Sequence, residues 1–237
     1  MKPLAKSARD GRPLAVRVYE NLRDLIVTGE LAAESQLVQE QIADSLGVSR
    51  TPVRDGLNRL AHEGLVTWVP GSGYVVNELT RQDIVEVYQV RLNLELLATR
   101  LSSGRHDAAS LSRLNTLIEE MAAADPRDAA RQFELNRRFH RALIEPCQNS
   151  LLLKMLDNLW DHPVNRRITR SYVHDPGNVD LMVQEHREML SAAAAGDVDR
   201  LLELSEHHLS TGYTEALDAS GQSPSELSVP ETERLAE

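Results

Sequence analysis

A chain of 237 residues is long for one helical core and comfortable for two domains of ordinary size. Apolar residues make up 41% and aromatics only 4%, a mix that packs Leu, Val, Ile and Ala into helices more readily than into sandwiches, while a net charge of −10 argues against a broadly basic nucleic-acid surface. The single cysteine, Cys147, excludes an internal disulfide, and no apolar run reaches the about 18 residues of a membrane span or follows the basic Met1–Pro13 segment as in a signal peptide, so a soluble cytoplasmic protein with no membrane partner is expected.

Residues 1–12 mix Lys, Arg, Gly and Pro without a period and read as a flexible arm. From Ala15, the apolar positions Tyr19, Leu22, Leu25 and Ile26 recur at helical spacing and stop at Gly29. A short second helix covers about Val38–Leu46. It is followed by Gly47-Val48-Ser49, where Gly47 can take a positive φ, Val48 can plug the joint, and Ser49 or Thr51 can cap a third helix that tolerates Pro52 in its first turn. That corner predicts a helix-turn-helix. The third helix turns Val53, Leu57 and Leu60 inward and ends near Glu63-Gly64. The β-prone runs Leu65–Val69 and Tyr74–Asn77, separated by Pro70-Gly71-Ser72-Gly73, then predict a hairpin wing.

Beyond Thr80 every long segment reads helical. The expected helices are 80–103, 108–123, 127–145, 150–171, 177–195 and 197–218, with Asp197 placed to cap the last. From Ala219 the Ser-, Pro- and Glu-rich tail is expected to be disordered. The predicted organisation is therefore mainly α: an arm (1–12), a winged helix-turn-helix (13–78), an all-helical bundle (79–218) and a tail (219–237).

Charge is distributed unevenly. Residues 1–77 carry nine cations and nine anions, whereas residues 78–237 carry seventeen and twenty-seven, so attraction to DNA must come from the placement of a few arginines. In Ser49-Arg50-Thr51-Pro52-Val53-Arg54 two guanidiniums lie four residues apart on a face distinct from Val53 and Leu57. Each can reach guanine O6 and N7, and Thr51 with the helix N-terminal amides suits phosphate. Isolated, such a pair would more often be solvated charges facing Asp55 or Asp44; the preceding Gly-Val-Ser corner and the following hairpin favour DNA reading.

Gly29-Glu30-Leu31, Ile42-Ala43, the run Leu46–Asp55, Leu57, Arg59-Leu60 and Glu63–Val66 resemble the GntR-superfamily winged helix-turn-helix across most of residues 13–77. The resemblance implies a homodimer on double-stranded operator DNA, with Arg50, Thr51 and Arg54 at the duplex and Gly71 at the wing tip. Glu40 stands where many relatives have arginine, and Pro70 and Ser72 stand where a basic wing tip is usual.

Glu86–Glu95 and Leu135–Leu143 resemble the FCD ligand-binding domain of the FadR-type branch, over about residues 80–218. Helical spacing turns Asn136 and His140 inward together, His186 with Met182, Met189 and Ala193, and His208 with Leu201 and Leu204, so polar groups from three helices can converge. A lone inward histidine is most often a hydrogen-bonded core residue. The resemblance implies a divalent metal, Zn²⁺ or Ni²⁺, held by Asn136, His140, His186 and His208, with Asn136 replacing the family's aspartate, and a small carboxylate as effector. Without metal the same histidines could grip an anion in a pH-dependent way. Arg91 is either a salt-bridge partner of Glu95 or an effector-binding pocket cation. Arg166, Arg167 and Arg170 read as a solvated face, His62, His106, His162, His174 and His207 as structural or exposed, and Trp68 and Trp160 as packing residues.

The rival from another class is a metalloenzyme with an N-terminal interaction module. Metal-assisted hydrolysis wants a carboxylate base at the open position, and Glu185 beside His186 points about 100° away from it on a helix. A winged helix that binds protein rather than DNA is the second rival. The two resemblances together favour a ligand-responsive regulator, more often a repressor.

Overall fold

The computed structural model describes residues 12–27, 29–78, 80–166 and 175–219. All but the last residue of the expected arm, the tail beyond Ala219, and Arg167, Arg170 and His174 lie outside the described residues.

In the N-terminal half, α1 (Leu14–Val27), α2 (Gln39–Leu46) and α3 (Arg50–His62) precede a hairpin of β2 (Val66–Val69) and β3 (Gly73–Val76). A two-residue strand β1 (Gln36–Leu37) adds to the outer side of β3, giving the antiparallel order β1-β3-β2. Two residues carry no readable alternation, which is why β1 was absent from the expected elements. Gly47 takes the left-handed conformation (φ 67°, ψ 36°) and donates to Ala43 and Asp44 carbonyls, turning the chain between α2 and α3. Ser49 occupies the N-cap position of α3 as expected, but its side chain makes no capping bond, and Thr51, the other candidate cap, lies within the helix. α1 and α3 pack closely because position 56 is glycine: a Cβ there would meet Val18 Cγ1 and Tyr19 N at 3.2 Å. Val18, Leu22, Val53, Leu57, Leu60, Tyr74 and Val76 belong to this half's own apolar core.

A capping box between Thr80 and Asp83 opens the 22-residue α4 (Arg81–Ser102). It is followed by α5 (Ala108–Ala123), α6 (Ala129–Ile144), a short 3₁₀ turn (Glu145–Cys147), α7 (Ser150–Asp161), α8 (Pro176–Ala195) and α9 (Val198–Ala219). The single helix expected over 150–171 is interrupted at His162, whose φ −60° and ψ 134° are extended, because Pro163 disfavours helical geometry in the residue before it. Leu114, Ile118, Leu135, Phe139, Met182, Met189, Leu201 and Leu204 form the bundle core between α5, α6, α8 and α9. α4 lies against α9, where Tyr88 and Tyr213 stack with centroids 3.9 Å apart, and against α7 through Trp160.

The two halves touch. Arg166 lies 4.8 Å over the Phe133 ring and reaches Asp24 of α1 at 3.7 Å and Asp161 at 3.9 Å, so it is not the solvated charge its sequence context suggests. A cleft of about 560 Å³ opens between the wing base and α4, lined among others by Glu63, Asn77, Asp83, Glu86 and His162. Val90 and Leu97 on α4 and Leu151 and Met155 on α7 are exposed. Among the described residues no helix is long and apolar enough to cross a membrane.

Candidate DNA-reading face and buried histidine cluster

The buried stripe of α3 (Val53, Gly56, Leu57, Leu60) fixes which side of the helix faces outward. Arg50, Thr51 and Arg54 are all exposed there. Arg54 lies 3.8 Å from Asp55, but both side chains are at least half exposed, so water and salt screen the pair and leave the guanidinium available. Gly71, φ 83°, forms the exposed hairpin tip. At the far end of α3 the Asn58 amide oxygen accepts from the Tyr74 hydroxyl, tying α3 to the hairpin. Trp68 is 55% exposed on β2 and not the packing residue expected.

In the bundle, His140 on α6, His186 on α8 and His208 on α9 are buried and bring one ligand atom each to within 4.8 Å of one another. His140 Nε2 and His208 Nε2 stand 3.1 Å apart. Both ring nitrogens of His186, a residue with no exposure, lack a hydrogen-bond partner, and so does buried Asn136 Oδ1 one turn before His140. Phe139 stacks on His186 at 3.9 Å between centroids and fixes that ring. Burial first, then the charges of His208, His186 and Arg91, holds His140 well below the usual histidine range. Burial and His208 do the same for His186. Both imidazoles are thus held neutral, the form that ligates metal. Buried polar atoms are normally partnered, so three converging imidazoles, with both nitrogens of His186 left without a hydrogen-bond partner, fit a divalent cation. Of the neighbouring histidines, His207 is 70% exposed and stands outside this cluster.

Two carboxylates escaped the sequence reading as site residues. Glu185 Oε2 lies 2.6 Å from His208 Nδ1, so it points away from His186, as helical geometry requires, yet reaches across to the next helix. Glu95, 3% exposed, accepts at Oε1 from Arg91 Nε (2.6 Å) and Trp160 Nε1 (2.7 Å), while its Oε2 lies 3.5 Å from His140 Nδ1. Arg91 also donates to Asn165 Oδ1 at 2.7 Å. The expected salt bridge between Arg91 and Glu95 is present. Trp160 packs as expected and in addition holds Glu95. Apart from the i,i+4 pair of Arg91 and Glu95, no local signal marks these contacts, since they join residues 23 to 74 positions apart. A carboxylate on the outer nitrogen of an imidazole sets the tautomer that presents the inner nitrogen to a cation.

Residues 14–76 match the family described as bacterial regulatory proteins, gntR family, and residues 86–211 match the FCD domain. BphR of Paraburkholderia xenovorans, described as an uncharacterized HTH-type transcriptional regulator, is 31% identical over 212 residues, 86% of this chain and 85% of its own. The Escherichia coli transcriptional repressor GlaR is 25% identical over 200 residues, 81% of this chain and 91% of its own. The solved structure of E. coli McbR/YncC shares the fold, with a TM-score of 0.69 over 88% of this chain and 99% of its own at 22% identity. The helix-turn-helix with its wing, the helical bundle behind it and relatives spanning both halves assign a regulator rather than an enzyme: the chain belongs to the GntR family of bacterial transcription regulators, with an FCD domain behind its DNA-binding domain.

Proposed function

We propose that this regulator is a homodimeric repressor. Arg50, Thr51 and Arg54 of α3 and Gly71 of the wing meet double-stranded operator DNA, and a small carboxylate effector engages a divalent ion held by Asn136, His140, His186 and His208. DNA binding resides in residues 13–78, and effector binding with dimerisation in residues 79–218. The observation that carries the reading is the convergence of three buried imidazoles, two of them held neutral, behind an exposed arginine face. A bound divalent ion supplies a Lewis-acidic position where a carboxylate oxygen can coordinate. The chain's own part is to aim the ligands: Glu185 orients His208, Glu95 orients His140, and Arg91 fixes Glu95.

GlaR is named a repressor, which supports repression here. The exposed Val90, Leu97, Leu151 and Met155 supply apolar surface of the kind a dimer covers. Calorimetric titration of Zn²⁺ or Ni²⁺ into chelator-stripped protein should give heat that His186→Ala abolishes; no such heat would remove the metal from the proposal. Selection of duplexes from a random pool should yield a preferred sequence, and Arg54→Ala should lower its affinity by roughly tenfold, a contact worth about 1–3 kcal/mol. Unchanged affinity would favour a protein-binding winged helix.

A further inference from the structure

Among the described residues of the N-terminal half, the exposed large apolar side chains are Leu14, at 38%, and Trp68, at 55%. Trp68 pairs across the wing with Tyr74, as Val66 pairs with Val76, and cross-strand partners share a face. Val66, Tyr74 and Val76 face the core, so Trp68 leaves the wing on the side of α3, one pleat beyond the point where the core ends. Its ring is held there edge-on against Tyr74, with centroids 4.9 Å apart and planes at 67°, and Tyr74 is anchored in turn to Asn58. Arg50, Arg54 and Asn58 follow one another at four-residue spacing along α3. The exposed face of the helix therefore leads through Asn58 toward the indole, with the buried Tyr74 holding the two together.

We propose that Trp68 is a DNA-backbone contact, its ring lying on a deoxyribose and its Nε1–H donating to a phosphate oxygen on the strand between the groove read by α3 and the groove reached by the wing tip. The inference rests on the DNA-reading assignment of α3. Its occupant is nucleic acid rather than a protein because Trp68 is the one exposed large apolar side chain among the described residues of the wing, with the exposed positions Thr67, Gly71 and Ser72 of the hairpin polar or small, and a stable protein interface buries an area many times larger, about 800 Å² per partner. Charge points the same way. The first 77 residues hold as many anions as cations, and the wing tip Pro70-Gly71-Ser72 offers no cation, so a neutral donor with a flat apolar face supplies hold that arginines and lysines do not.

The test uses the full-length protein and a duplex that it selects from a random pool. Trp160 is 2% exposed, so acrylamide quenching of tryptophan fluorescence reports Trp68, and saturation with the duplex should shield it. Trp68→Ala should weaken binding about tenfold, the scale of losing an aromatic platform. Trp68→Phe should recover part of that loss. In both variants the slope of log affinity against log salt should stay that of the parent, because a neutral contact releases no counterion, whereas Arg54→Ala should lower the slope. Thermal melting checks that the variants fold. Parental affinity of a folded Trp68→Ala, or quenching that the bound duplex leaves unchanged, overturns the proposal while DNA reading by α3 stands. If Trp68→Ala instead changes the sedimentation of the free protein, the indole covers another chain and the proposal is wrong. Failure to select any duplex removes both assignments.

Discussion

Glu95 concentrates more of the bundle's polar chemistry than any motif in the sequence suggested. Its two oxygens serve Arg91, Trp160 and His140 at nearly complete burial, so deletion strands a guanidinium that is itself only 11% exposed. Breaking a buried ion pair from one side costs about 3 kcal/mol or more, and Glu95→Ala should lower unfolding stability in urea by that order. Glu185→Gln keeps the size and loses the charge facing His208. It should weaken Zn²⁺ binding about 10- to 100-fold while leaving the fold intact, measured by competition with a chromophoric chelator. The histidines also set a pH dependence. His140 and His186 titrate well below the ordinary histidine value of 6.5 in the folded protein, whereas the unfolded chain takes up protons near it. Unfolding therefore binds protons, and their contribution is complete above about pH 6.5 and declines as pH falls toward their folded-state values. Melting temperatures of chelator-stripped protein should drop between pH 7.5 and 5.5, and less in His186→Asn; a flat profile would contradict neutral buried imidazoles.

At the scale of elements, the link between the halves is short and held at both ends. Asn77 donates to Gly64 O and accepts from Thr67, and Thr80 caps α4 three residues later. The Arg166–Asp24 pair joins them a second time, and Arg166 directly follows Asn165, which receives Arg91. A change around His140 thus has a connected route to α1 through Glu95, Arg91 and residues 165–166. Flexible residues inserted after Asn77 should leave operator affinity near the parental value and abolish its response to whichever organic acid releases the parent, followed by fluorescence anisotropy; a retained response would assign coupling to the Arg166 contact instead. Much of this architecture was legible. Helical periodicity marked the inward faces of α6, α8 and α9, and the Gly-Val-Ser corner marked α3, because local sequence determines both. The β1 pairing, the reach of Glu185 to the next helix and the docking of Arg166 were not, since each depends on residues brought together only by tertiary packing. Pro163 did carry a local signal for the break in α7, and the regular apolar spacing around it obscured that signal. The exposure of Trp68 depends on where the core ends relative to the pleat, which β-propensity alone does not specify.

For the whole molecule, the proposed dimer predicts a sedimenting mass of twice the 26.5 kDa chain at micromolar concentration. A single-chain mass would leave the α4 and α7 apolar residues needing another partner. The uneven charge has a further consequence. The half that faces DNA is electrically balanced, and the half behind it carries all of the excess anions. Random chromosomal sequence, which holds proteins mainly through phosphate attraction, offers little purchase to such a body. Residence on non-operator DNA should be brief, and the search for the operator should proceed by many short encounters from solution rather than long one-dimensional slides, so that a small pool of molecules stays available to its own site.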